Sequence, residues 1–170
     1  MRRILRQRDW VVDDWRYLGE AGGADPGRAL IIPLSRWRAE PQRWHGSPVR
    51  LGVQLAPVDA VEELAADLPR LALVALEFPT PGEGRGYSQA RLLRERLRFS
   101  GELRAVGAGV RQDQVFLLAR CGFDAIELAA GEDPQAAGRA LARYEVAYQP
   151  GAPEVALRRQ RFYAGAAHQG

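Results

Sequence analysis

The sequence predicts an α/β fold: about four βα units forming a parallel sheet, open or half-barrel-like, preceded by a short antiparallel β arm. Three observations predict it. From Val49 onward, strand-length apolar runs alternate with amphipathic, helix-length segments, the rhythm of right-handed βα crossovers. The apolar runs are continuous, as in strands covered on both faces. The 170 residues suffice for one domain with a real core, yet fall short of the roughly 250 residues of a closed eight-unit βα barrel.

Taken in order, Ile4-Leu5-Arg6 and Trp15-Arg16-Tyr17-Leu18 are short strand candidates around Asp9 and the Asp13-Asp14 pair. A turn-rich stretch from Gly19 to Gly27 leads to a further apolar strand, Ala29 to Leu34. Residues 1–35 are therefore expected as a β arm packed on the main body. Trp10, Trp15, Trp37 and Trp44 read as packing anchors. The α/β domain proper covers 36–149. Its strands are expected at Val49–Leu55, Leu71–Phe78, Glu102–Val106 and Phe123–Leu128. The intervening helices run from Asp59 to about Leu68, with Glu62 completing a capping box, from Ser88 to about Phe99, and from about Gln112 to Arg120. Gly122 closes the third helix in the left-handed conformation, and Pro134 opens a last helix reaching about Tyr148. Gln149-Pro150-Gly151-Ala152-Pro153 breaks that helix, so 150–170, with Arg158, Arg159, Arg161 and His168, is expected as a mobile tail.

Composition narrows the chemistry. All 24 basic residues are arginine, which removes Schiff-base, lysine-bound pyridoxal phosphate and P-loop lysine mechanisms together. One cysteine, Cys121, and two histidines, His45 and His168, cannot supply the about four thiolates of an iron–sulfur cluster or the usual Cys/His set of structural zinc. No metal ligands are assigned, and the cofactor is left open. The pI near 9.5 accompanies a net charge of only +3 with acids interspersed, so nucleic acid is not the expected partner. The apolar runs are too short to span a membrane, and Arg6, Arg8 and Asp9 interrupt any signal-peptide core, so a cytoplasmic location is expected.

In parallel α/β sheets, ligands bind beyond the carboxyl ends of the strands. Four loops qualify, beginning at Gln54, Glu77, Gly107 and Glu127. The second, Pro79 to Ser88, carries three glycines at alternate positions, with Ser88 as an N-cap and Arg85 and Arg91 as cations for an anion at the helix start. Gly86, Tyr87 and Gln114 complete the candidate ligand-binding set. Glu77 ends an apolar strand, and there it either pairs with an arginine such as Arg104 or faces the site as an acid or base. Asp113 is the second candidate catalytic carboxylate. Gly107-Ala108-Gly109, with Glu127 twenty residues after Gly107, is half a dinucleotide fingerprint; Gln112 stands where the third glycine belongs. Cys121, at a helix C-terminus that disfavours a thiolate, reads as structural.

Four segments in sequence carry a resemblance. They are Gly84-Arg85-Gly86-Tyr87-Ser88-Gln89-Ala90-Arg91-Leu92-Leu93-Arg94, Gly101-Glu102-Leu103-Arg104-Ala105-Val106-Gly107, Asp113-Gln114, and Arg120-Cys121-Gly122-Phe123-Asp124-Ala125. Over about Trp10 to Tyr148 the chain resembles the bacterial family known as domain of unknown function 934, whose members are generally described as oxidoreductases of sulfite reduction. Family members are typically encoded beside the haemoprotein subunit of sulfite reductase. The resemblance thus implies a role in assimilatory sulfate reduction and cysteine biosynthesis. It also implies an acidic residue after the glycine ending the third strand. Here Ala108 stands there, and Asp113 is the nearby substitute.

Two functions follow as expectations, and the fold alone adds a third, a phosphate-binding metabolic enzyme unrelated to sulfur. One is an auxiliary protein or oxidoreductase-type enzyme that binds an oxyanion or phosphate-bearing ligand at the carboxyl edge of the sheet. The other is a non-catalytic partner of the sulfite reductase haemoprotein. Convergence of Glu77, Arg85, Tyr87 and Asp113 on one pocket would favour the first.

Overall fold

A computed structural model describes residues 2–7, 9–18 and 29–143. Eight strands form one sheet: β1 (Arg3–Arg6), β2 (Asp9–Val12), β3 (Trp15–Tyr17), β4 (Ala29–Pro33), β5 (Leu51–Leu55), β6 (Leu73–Glu77), β7 (Glu102–Val106) and β8 (Ala125–Ile126). Their order is β2-β1-β8-β7-β6-β5-β4-β3. From β3 to β8 every pairing is parallel, and β1 pairs antiparallel with both β2 and β8. The antiparallel arm is present, and β3 and β4 extend the parallel sheet to six strands. Asp9–Val12, not read as a strand from the sequence, supplies the edge beside β1.

Connectivity forces the sheet to curl. Laid flat at about 4.8 Å per strand, the β2 and β3 edges would lie about 34 Å apart. Val12 and Trp15 are joined by two residues, which span at most about 11 Å. Because β2 and β3 also run in the same direction, they act as one strand bent at Asp13-Asp14, paired with β1 before the bend and with β4 after it. The result is a half-barrel whose edges meet at this bend. The Tyr17 hydroxyl accordingly donates to Glu127 Oε2 at 2.8 Å, although four strands separate β3 from β8.

Strand alternation sorts the side chains onto two faces. Leu30 and Ile32, Leu51, Val53 and Leu55, Val74 and Leu76, Leu103 and Ala105, and Ile126 pack under the helices with Phe78, Leu93, Val115, Leu118 and Leu141. The concave face holds a smaller cluster of Trp15, Tyr17, Ala29, Ile31, Leu73, Ala75 and Val106. The helices are α1 (Leu34–Ala39), α2 (Pro41–His45), α3 (Arg85–Arg91, continued by a π-helical turn over Leu92–Arg96), α4 (Val115–Arg120) and α5 (Pro134–Arg143). No described helix is long and apolar enough to cross a membrane. Trp15, Trp37 and Trp44 are each under 5% exposed, as packing anchors should be.

One expected helix is absent. Residues 59–68 form separate 3₁₀ turns at Val61–Leu64 and Leu68–Arg70. Pro69 lacks the N–H an α-helix would need there and disfavours helical backbone at Leu68. Asp59 spends its carboxylate on the Ala56 amide at 2.8 Å, so the capping box with Glu62 does not form. Asp67 is drawn aside to accept from the Trp37 indole at 2.8 Å. The other helix ends move by only a few residues. Gly122 takes φ +98° just after the α4 cap at Cys121, as expected of a left-handed helix stop. The last part of the helix expected to reach Tyr148, and the tail with His168, lie outside the described residues.

Candidate functional site

The carboxyl ends of β5, β6 and β7 gather three connecting loops, and the glycines there serve loop packing. Gly109 donates its N–H to Phe78 O at 2.7 Å. A Cβ on Gly109 would lie 2.2 Å from Thr80 O, and one on Gly107, at φ +112°, would lie 2.6 Å from Phe78 O. Only glycine permits the two loops to touch backbone to backbone. Gln114 strengthens the contact by donating to Pro81 O at 2.9 Å. Gly86 has a comparable role, since a Cβ would meet the Phe78 ring at 2.4 Å. Gln89, buried in α3, ties down the third loop by donating to Ala56 O and Asp59 O, both at 2.9 Å. The carboxyl edge is therefore a preformed, cross-tied surface.

Glu77 sits on the concave face of this edge, opposite Val106, and its carboxylate has no hydrogen-bond or ion-pair partner among the described residues. The sequence left open a pair with Arg104. The structure excludes it: Arg104 lies one level deeper, opposite Ala75, and bonds Glu102 and Asp13 instead. On the same level as Glu77, two strands away or about 10 Å, stands Glu127, which holds the Tyr17 hydroxyl. Burial first, and then the Glu127 charge, push the Tyr17 phenol far above its ordinary value, so it stays protonated and donates.

The remaining candidates lie on the helix side. Tyr87 stacks edge-on against Phe78, with ring centroids 5.2 Å apart, and Phe78 belongs to the core under the helices. Burial, then the neighbouring Cys121 and Asp113, raise the Tyr87 phenol. Asp113 is exposed, and Arg91 is exposed and 3.5 Å from Glu95. Tyr87, Asp113, Arg91 and Cys121 thus form one neighbourhood, while Glu77 faces the other side of the sheet. They do not converge on one pocket. Arg85 is exposed, with no side-chain partner among the described residues. Ser88 is not the N-cap: α3 begins three residues earlier, behind Gly84, and Ser88 is exposed within it. The N-cap position is held by Gly84, which has no side chain to cap with, and Glu83 just before it accepts the Arg85 N–H at 2.8 Å.

Cys121 is half-buried at the α4 C-terminus. Burial pushes its thiol up, and Arg91 and Arg120 offset this only in part. Alkylation by iodoacetamide at pH 7 is expected to run at least several-fold slower than for a free thiol and to accelerate only above the ordinary thiol range. A rate equal to that of free cysteine would remove the structural reading of Cys121.

The sequence did not reveal the concave charge network. Arg104, with 0% exposure, meets Asp13 at 2.9 Å and Glu102 at 2.8 Å. Asp13 also accepts from Arg2 at 2.8 Å, and Arg6 meets Glu102 at 3.0 Å. Burial works against the Arg104 charge, but Glu102 and Asp13 outweigh it and hold the guanidinium above its ordinary value. The signal was an arginine inside the strand Leu103-Arg104-Ala105-Val106, because a buried charge demands a partner.

Fold and site together define an α/β half-barrel protein with a preformed carboxyl edge and a charged interior. The chain belongs to the family described as bacterial protein of unknown function (DUF934), whose model matches residues 52–157. That span runs from β5 through β8 and α5, and includes every candidate site residue from Glu77 to Cys121. No curated protein matches the chain.

Proposed function

We propose that this chain is an auxiliary protein of assimilatory sulfite reduction, on the route from sulfate to cysteine. In this reading it works beside the haemoprotein subunit of sulfite reductase and holds a small oxyanion or phosphate-bearing ligand at the carboxyl edge of its sheet. The observation that carries the ligand reading is Arg85, an exposed guanidinium without a side-chain partner among the described residues, on the first turn of a helix whose preceding loop is tied to its neighbours. An auxiliary role also accords with the residue inventory, since one cysteine leaves no thiolate set for the centre that sulfite reduction requires.

The second reading, a non-catalytic partner, is favoured by the division of Glu77 from Tyr87 and Asp113 across the sheet. An acid–base pair must reach one substrate, and Glu77 and Asp113 lie on opposite sides. In an oxidoreductase-type enzyme Glu77 would act at the concave mouth, without Asp113.

Growth of a deletion strain on sulfate, compared with sulfide or cysteine, tests both readings. Loss of growth on sulfate alone, restored by the wild-type chain, is the expected result; growth on sulfate without the gene would overturn them. Complementation by Glu77→Gln at normal protein level would select the non-catalytic partner. For the ligand, calorimetric titration with sulfite, sulfate and phosphate is expected to weaken about tenfold in Arg85→Ala, the loss of one charge-assisted contact of about 1.5 kcal/mol. Equal binding by both proteins would take Arg85 out of the site.

A further inference from the structure

Beyond the bend at Asp13-Asp14, β3 is the last strand of the sheet, and its outer edge faces β8 across the carboxyl mouth. A strand there would normally bond the outward backbone of Trp15. Arg2 does so instead: Nη2 donates to Trp15 O at 2.9 Å, and Nε donates to Asp13 Oδ2 at 2.8 Å. The same guanidinium stacks 4.5 Å over the Tyr17 ring and lies 3.7 Å from Glu127 Oε2. Glu127 in turn accepts from the Tyr17 hydroxyl at 2.8 Å. Among the described residues, side chains thus close the seam beyond the backbone bond from Asp13 N–H to Arg2 O at 2.9 Å. Beneath them lie Arg104 and Trp15, both buried, and the buried carboxylate of Asp13.

We infer that Arg2 and Glu127 form a latch across this seam, and that its release frees β3 and opens the buried Arg104–Asp13 interior at the carboxyl mouth. β3 is suited to local opening because it has three residues and, among the described strands, pairs with β4 alone. Its bond to the rest of the sheet includes Leu18 N–H to Ile31 O, at 2.8 Å. The strands β5, β6 and β7 are paired on both sides and should not follow it.

Amide hydrogen exchange, resolved by NMR on the full chain, reads the latch directly. In Arg2→Ala and in Glu127→Gln, exchange at Arg16 and Leu18 is expected to accelerate at least about tenfold, while residues 73–77 and 102–106 keep their wild-type rates. The double variant should add little to either single one, because both residues belong to one closure. Tyr17→Phe, which removes the hydroxyl but keeps the ring under Arg2, should give a smaller acceleration at the same amides. Unchanged exchange at Leu18 in both single variants would overturn the latch. Equal acceleration across all strands would overturn it too, since that pattern marks global destabilisation.

Discussion

Asp13→Ala should destabilise the protein by about 3–5 kcal/mol, the cost of removing one of the two carboxylates that neutralise the buried Arg104. Arg104 and the Asp13 side chain are both 0% exposed, so water cannot replace the lost carboxylate at Arg104. For a chain of this size the loss corresponds to a fall in Tm on the order of 10 °C. Thermal and urea unfolding, followed by circular dichroism, would measure it. A paired variant separates charge from shape. Asp13→Leu with Arg104→Met removes both charges while keeping apolar volume, and buried ion pairs replaced in this way are often neutral or better. Arg2 retains Trp15 O and Glu127, and Glu102 retains Arg6, so the pair leaves few orphans. Most of the stability lost in Asp13→Ala should return. If the double variant is as unstable as the single one, the network is doing something that apolar packing cannot, and the ion-pair account fails.

The parts of this fold that were legible in the sequence are those set by local chemistry. Glu102–Val106 is a strand in both the sequence and the structure, since a short run alternating charged and apolar residues between Gly101 and Gly107 has the period of a strand. Gly122 ends a helix in the left-handed conformation because an L side chain would be strained there. The 59–68 segment misled because its apolar spacing and acidic start resemble a helix, and only the tertiary demands of Trp37 and Ala56 override them. The place of β3 and β4 in the parallel sheet was not legible. Three residues such as Trp15–Tyr17 carry no mark of their neighbour, and closure of the barrel decides it.

The candidate site divides in the same way. Glu77 at a strand end and the Gly107–Gly109 loop could be found from spacing, because a carboxylate after an apolar run and alternating glycines are local signals. The Tyr17–Glu127 bond joins residues 110 positions apart, and the Arg104–Asp13 bond joins residues 91 apart. Single-sequence patterns carry no such pairings. That Gly84, not Ser88, stands at the N-cap of α3 turned on where the helix begins, three residues earlier than the Ser88 signal suggests.

Arg94→Ala should be comparably damaging, about 3–5 kcal/mol, for a different reason. Arg94 is 6% exposed at the π-helical turn, and its guanidinium acts as a hub for backbone carbonyls. Nε donates to Gly122 O at 3.1 Å, and Nη1 donates to Phe99 O at 2.6 Å and Gly101 O at 2.9 Å. Nη2 meets Asp124, whose carboxylate also accepts from the Leu103 amide at 2.9 Å. The partners come from the chain entering β7 and from the α4–β8 turn, so one planar fork joins the two segments just before the strands pair. Removing it leaves partly buried carbonyls unsatisfied and Asp124 without its counter-ion. Lysine offers three donors on one nitrogen and cannot span the fork, so Arg94→Lys should recover less than half of the loss. These contacts lie at the amino ends of β7 and β8, the face of such folds that supports stability, away from the carboxyl edge where ligands bind. The complementation assay should therefore report Arg94→Ala as lost abundance: weak growth on sulfate, in proportion to protein level, and full growth when overexpression restores it. Poor growth at wild-type protein level would instead place Arg94 in the functional surface.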